Sequence, residues 1–126
     1  MKNVIKTDKA PQAIGPYSQA IEVNGMIFTS GVVPLDPATG NVVEGDIRAQ
    51  ATRVFESMKA LLEAAGSGCE EVVKTTVFIK DMNDFAAINE IYATYFTGAF
   101  PARSCVEVAR LPKDVKIEME AIALTK

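Results

Sequence analysis

The sequence predicts an α/β protein of the α+β sandwich type, with one mostly antiparallel sheet carrying two helices on one face. Three observations carry that expectation. The stretch YSQAIEVNGMIFTSG, residues 17–31, sets two β-prone runs around Asn24-Gly25, the strongest two-residue hairpin signal. From Ile47 apolar residues recur at intervals of three and four, the period of an amphipathic helix. VVKTTVFIK, residues 72–80, is rich in β-branched residues and separates that helix from a second helical stretch. No composition break, repeat or low-complexity tract divides the chain, so residues 1–126 are expected to form one domain.

In chain order, a short strand is expected at 3–6, then the hairpin. VPLDPATGNVVEGD follows as a loop punctuated by proline and glycine. The first helix places Ile47, Ala51, Val54, Phe55, Met58, Leu61, Leu62 and Ala65 on one stripe, with Asp46 as N-cap and Gly66 as its stop. After the strand at 72–80, a second helix over about 84–97 gathers Phe85, Ile88, Tyr92, Tyr95 and Phe96 on one side, and Asn83 or Asp84 can cap it. Strands at about 103–108 and 115–124 close the chain, joined by ARLPKD. The order is ββαβαββ after the N-terminal strand.

Composition removes several classes of function. The net charge is −3 and no run of lysine or arginine occurs, so the electrostatic footprint of a nucleic-acid binder is missing. Neither a signal-peptide core nor an apolar run of membrane-spanning length is present, and a cytoplasmic protein with no membrane partner is expected. Cys69 and Cys105 then sit in a reducing compartment as free thiols. Histidine is absent, which removes Ser-His and Cys-His nucleophile pairs together with the commonest metal ligand. The GSG at 66–68 follows a helix instead of opening one, and no Walker lysine accompanies GVVPLDPATG. Neither a metal nor a nucleotide cofactor is expected, and chemistry falls to carboxylates, Arg, Tyr, Cys and backbone.

The run FPARSCVEVARLPKDVKIEMEA, residues 100–121, puts charge where core strands should be. A buried charge is costly unless it is paired, so these residues either compensate one another or face a ligand. In VKIEMEAIAL the pleat sets Val115, Ile117, Met119, Ala121 and Ala123 on one side and Lys116, Glu118, Glu120, Ile122 and Leu124 on the other. Two helices cover only one face, so Ile122 and Leu124 imply a second buried surface, most simply a subunit seam near Glu118 and Glu120.

Arg103 and Cys105 share a strand face. A direct hairpin around residues 110 and 111 would set Arg103 opposite Glu118 as a cross-strand ion pair. Alternatively, Arg103 offers its donor fork to a substrate carboxylate while Glu118 orients or deprotonates a water. Tyr17 is either a core aromatic with a locally satisfied hydroxyl or a ligand-facing donor. Cys105 is either a small buried hydrophobe or a thiol tuned by Arg103. Ser30-Gly31 is turn chemistry or a place where backbone N–H approaches a ligand. Lys113-Asp114 reads as a solvated turn.

Pro101-Ala102-Arg103-Ser104-Cys105-Val106, then Leu111, then Ile117-Glu118-Met119 resembles the C-terminal signature of the RidA (YjgF) family of reactive-intermediate deaminases. APQAIGPYSQAI, NGMIFTSGVVPLDPATG, VVKTTVFIKDMNDFAAINEIY and VARLPKDVKIE extend the likeness over nearly the whole chain, although TGAFPARS is a shorter link than in some relatives. The resemblance implies a chorismate-mutase-like fold and a homotrimer with a central barrel and inter-subunit clefts. It implies hydrolysis of 2-iminopropanoate and 2-iminobutanoate, with their enamine tautomers 2-aminoacrylate and 2-aminocrotonate, to 2-oxoacids plus ammonia. Such imines leave pyridoxal-phosphate enzymes and damage others, so the implied role is metabolite-damage control. Matched position by position, Arg103 is the carboxylate-binding arginine and Glu118 the residue that activates water. Cys105 contributes chiefly backbone N–H, while Tyr17, Ser30 and Gly31 line the cleft. A non-enzymatic ketoacid sensor and a translation-inhibiting ribonuclease are the alternative readings.

Overall fold

The computed structural model describes residues 1–126 throughout, and its element order follows the sequence expectation. The strands are β1 (Asn3–Ile5), β2 (Ala20–Val23), β3 (Met26–Thr29), β4 (Val72–Ile79), β5 (Ala102–Glu107) and β6 (Ile117–Leu124). The helices are α1 (Ile47–Ala64) and α2 (Phe85–Tyr95). They form one six-stranded sheet in the order β1-β2-β3-β6-β4-β5, antiparallel except for the β4–β5 pair.

Local chemistry explains most of the boundaries. Asn24 and Gly25 take left-handed φ values of 52° and 77°, as a tight turn between β2 and β3 requires. The Asp46 carboxylate accepts hydrogen bonds from the Arg48 and Ala49 amides at 3.1 and 3.2 Å and so caps α1. At the other end Gly66 adopts φ 78°, its N–H bonds Glu63 O, and the Ser67 N–H reaches Leu62 O, the paired bonds of a Schellman stop. Asp84 stands at the N-cap position of α2, as one of the two expected residues, but makes no side-chain capping bond; Asp81 accepts from the Asn83 amide and caps a short 3₁₀ turn, Met82–Asp84, that feeds the helix.

The pleat of β6 is as expected: Ile117, Met119, Ala121 and Ala123 are buried under the helices. They meet Val54, Phe55, Met58, Leu61 and Leu62 of α1 and Ile88 and Tyr92 of α2 in one core. Phe55 is its aromatic centre, edge-on to Tyr92 at 5.7 Å and to Phe96 at 6.4 Å. The opposite sheet face has no layer over it. There Phe28 pairs with Ile122, Met26 with Leu124 and Phe78 with Glu118, and Phe28, Leu124 and Val106 stay 40–44% exposed.

The topology decides between the two readings of the last two strands. No hairpin joins β5 to β6, because β4 lies between them, parallel to β5 and antiparallel to β6. The connection from β4 to β5 runs through α2, which is long enough to cross the sheet and return in the same direction. The long apolar β6 instead fills the gap between β3 and β4, where it is paired on both edges.

Candidate active site

Two clusters of the expected residues lie on different faces of the sheet. The first is built on β5 and α2. Arg103 is in register with Thr75 of β4, so its side chain rises on the helix side. Its Nη1 donates to Asn89 Oδ1 at 2.7 Å, and the guanidinium lies 4.8 Å from the Tyr92 ring centroid and 5.3 Å from that of Phe85. Phe85, Asn89 and Tyr92 follow at four and three residues along α2 and therefore present one continuous face. Tyr92 is itself fixed by a buried 2.8 Å hydrogen bond to the Thr75 hydroxyl. Arg103 forms no ion pair with any carboxylate of the chain, and its remaining donors face a groove of about 450 Å³ lined by Asn89, Tyr92, Ala93, Phe100 and Pro101. Stacked, anchored and unneutralised, such a fork fits a carboxylate.

Cys105, two residues along the same face, packs its half-buried side chain against the core. Burial pushes its thiol pKa up, and the nearby Arg103 charge opposes that only in part. The thiol therefore stays protonated and is a poor nucleophile, so Cys105 follows the small-hydrophobe reading. β5 is one of the two edge strands, and the backbone groups on its outer side have no strand partner.

The second cluster is built on β6 and the loop after β3. Glu118 projects from the uncovered face and is half-buried, and its pKa is raised first by that burial and then by the charge of Glu120. Gly31 lies against it: a Cβ there would stand 2.7 Å from Glu118 Cδ and overlap Oε2. The contact is fixed by a two-way backbone bridge one residue on, in which Val32 N–H bonds Met119 O at 2.7 Å and Met119 N–H bonds Val32 O at 3.1 Å. Ser30 is tied back by its Oγ to Ser18 O at 2.6 Å and by its N–H to Gln19 O at 2.9 Å. Tyr17 is 52% exposed and so lies outside the core, while its hydroxyl is satisfied locally, accepting from the Ile14 amide at 3.3 Å. Tyr17, Ser30 and Gly31 line a cavity of about 330 Å³ whose rim includes Lys113. Lys113 and Asp114 both hold φ 56°, a strained turn locked by two hydrogen bonds from Arg110 to the Asp114 carboxylate. The Lys113-Asp114 turn is thus solvated, as expected, and also borders the cavity.

Of the two readings of Arg103 and Glu118, the cross-strand ion pair does not form. Arg103 lies on the helix side beside Thr75, whereas Glu118 lies opposite Phe78 on the uncovered side, two strands away. Sequence reasoning also missed Asn89 and Gln19. The spacing of Asn89 between Phe85 and Tyr92 on one helical face was a readable signal for the first. For Gln19, a polar residue that is only 6% exposed, nothing in the local sequence marked its burial.

Fold and site together define the class: a single-sheet α+β protein with two helices on one face, a free guanidinium on one side of the sheet and a half-buried carboxylate on the other. The family model described as Endoribonuclease L-PSP matches residues 7–125, and the chain belongs to that family. A RutC family protein of Pyrococcus abyssi is 60% identical over 97% of this chain and 96% of its own. The 2-iminobutanoate/2-iminopropanoate deaminase of Salmonella typhimurium is 56% identical over the full length of both chains. The crystal structure of Escherichia coli TdcF with bound serine superposes with a TM-score of 0.92 at 48% identity, over 98% of this chain and 99% of that one.

Proposed function

We propose that the protein is a hydrolytic deaminase of small 2-imino acids and their enamine tautomers, releasing a 2-oxoacid and ammonia, in clefts formed between the subunits of a homotrimer. The observation that carries this reading is the separation of Arg103 and Glu118 on opposite sheet faces within a full-length relative of a 2-iminobutanoate/2-iminopropanoate deaminase. A small substrate cannot touch both residues in one chain. Head-to-tail packing, in which the Arg103 side of one subunit meets the Glu118 side of the next, joins them and closes into a ring. It also covers Phe28, Ile122 and Leu124. The similar TdcF structure holds serine, an amino acid of the size proposed here.

In the proposed mechanism Arg103 binds the planar carboxylate through its fork, held in place by Asn89, Tyr92 and Phe85. Backbone N–H groups near Gly31 and Cys105 and the Tyr17 hydroxyl complete the cleft. Glu118 as carboxylate takes a proton from water as its oxygen bonds to the imine C2, and the C2–N π pair moves to nitrogen. Protonated Glu118 returns that proton to nitrogen, giving the carbinolamine; Glu118 then takes the proton of the new C2 hydroxyl and passes it to nitrogen, the O–H pair becomes the C=O bond as the C–N bond breaks, and ammonia leaves the 2-oxoacid behind. The imine carbon is intrinsically electrophilic, so positioning and one general base supply the needed acceleration without metal or organic cofactor. The proposed setting is the cytoplasm, beside the enzymes that release such imines.

The family's description points to RNA cleavage as a second reading. With a net charge of −3, no histidine and no basic stripe, this chain lacks the features on which RNA binding usually rests. A salt-dependent shift of RNA by the purified protein would revive that reading, and a tight ketoacid complex without turnover would favour a sensor.

The test is ammonia release from an imine generated in situ by a threonine or serine dehydratase, with semicarbazide trapping the uncatalysed remainder. Wild type should accelerate it, and Arg103→Ala and Glu118→Gln should each abolish the acceleration. Unfolding and refolding the two inactive variants together should restore activity in roughly a quarter of the clefts, those receiving the intact Arg from one subunit and the intact Glu from the other. Wild-type rates in both variants would sink the mechanism, and no recovery on mixing would sink the shared cleft.

A further inference from the structure

We infer that residues 10–14 form the wall against which the carbon chain of the substrate packs, and that Gln19 is the positioning residue that holds this wall in place. The inference rests on the deaminase reading and names the specificity element of that same cleft. The cavity beside Gly31 is lined by Ser30, Gly31 and Val33 of the segment after β3, here called its floor, and by Pro11 and Ile14 of the segment after β1. Gly31 both touches the Glu118 carboxylate and lines this cavity, so with the carboxylate on Arg103 and C2 beside Glu118 the remaining substituent of the imine is directed past Gly31 into it. Ile14 is 79% exposed although it lines the cavity, so most of this apolar side chain is left uncovered by the chain.

The wall has no regular secondary structure, so something must hold it. Gln19 does so with a fully used amide: Oε1 accepts from Thr7 N–H at 2.8 Å, and Nε2 donates to Thr7 O at 2.9 Å and Pro11 O at 2.8 Å, with Ala10 O at 3.4 Å. Its own carbonyl accepts from Ser30 N–H. One residue thus ties the wall, through its side chain, to the floor, through its backbone. Replacing the amide by a carboxylate turns the donor aimed at Pro11 O into a repelling acceptor while keeping side-chain shape.

The test compares kcat/KM for the imines of propanoate, butanoate and 4-methylpentanoate, with titration of pyruvate, 2-oxobutyrate and 4-methyl-2-oxopentanoate as a turnover-free check. In Ile14→Ala, the preference for longer over shorter chains should fall by about threefold or more, since a methylene against an apolar wall is worth on the order of tenfold when fully buried. Gln19→Glu should lower the same ratio by raising KM more for the longer chains, with kcat less affected. Because Ile14 is exposed, its truncation does not endanger the fold. Chain-length ratios unchanged in Ile14→Ala, or all substrates weakened in equal measure by both variants, would overturn the inference while leaving the deaminase intact. Absence of turnover by wild type would instead overturn the deaminase reading beneath it.

Discussion

Gly31 lies directly against the Glu118 carboxylate, with room for a hydrogen where any other residue would place a Cβ. Its backbone is not in a left-handed conformation, so glycine is needed there for space and not for φ. In Gly31→Ala the methyl must displace the carboxylate, and a shift of about 1 Å in a reacting group can cost on the order of a hundredfold in rate. Steady-state kinetics should show kcat down by ten- to a hundredfold with a thermal midpoint close to wild type. A variant with wild-type kcat would mean that the carboxylate position is not critical.

The raised pKa of Glu118 gives two pH signatures. As a general base it must be ionised, so kcat/KM should climb with pH through an inflection above the ordinary carboxylate value of 4.5. Removing the neighbouring charge with Glu120→Gln should move that inflection to lower pH, since Glu120 is the second cause of the shift after burial. An inflection that stays in place would assign it to another group.

The same shift predicts a stability cost at the site. A carboxyl whose pKa is higher folded than unfolded favours the folded state while protonated, and that advantage is lost as pH rises from the ordinary value through the raised one. Glu118→Gln should therefore melt at a higher temperature than wild type at pH 7, with the difference shrinking towards pH 4. Calorimetry at the two pH values checks it; an equal difference at both would trace the effect to packing instead of charge.

Tyr92 supports Arg103 in two separable ways. Tyr92→Phe keeps the ring under the guanidinium but leaves the buried Thr75 hydroxyl without its partner, a loss of about 1–3 kcal/mol in stability. Its KM should change little. Tyr92→Leu removes the stacking surface as well and should raise KM several-fold, with oxoacid affinity falling in parallel. If both variants bind oxoacid as wild type does, the aromatic clamp has no part in holding Arg103.

The uncovered sheet face predicts the assembly. Phe28→Asp places a charge beside Ile122 on the face assigned to the proposed subunit seam, and should convert the proposed trimer into monomers that lack deaminase activity. Sedimentation velocity decides this, and an unchanged particle would move the seam elsewhere.

Much of the fold is legible in short-range sequence because its causes are local. Asn24-Gly25 carries its own turn, Asp46 and Gly66 carry the ends of α1, and the alternation in β6 announces which residues face the helices. Even the surplus apolar residues Ile122 and Leu124 state that a second face needs covering. The importance of Arg103 and Glu118 was likewise visible, since charges amid strand residues require an explanation.

Strand partnership was not legible, and it decided the site. Whether β5 pairs with β6 or with β4 depends on which arrangement buries the long apolar β6 on both edges and lets α2 cross the sheet, a competition among distant segments that no local pattern records. The direct hairpin suggested by proximity in sequence would have made Arg103 and Glu118 neutralise one another. The actual order puts them on opposite faces, each without its counter-charge. The residues that hold them, Asn89, Tyr92 and Thr75 for the arginine and Gly31 for the glutamate, come from elements far apart in the chain. The sequence by itself determined the elements, their buried faces and the chemistry on offer, because those follow from side-chain type and period. Only the tertiary structure decided that the two charges are kept apart, because long-range pairing sets which strands are neighbours and which face each side chain takes.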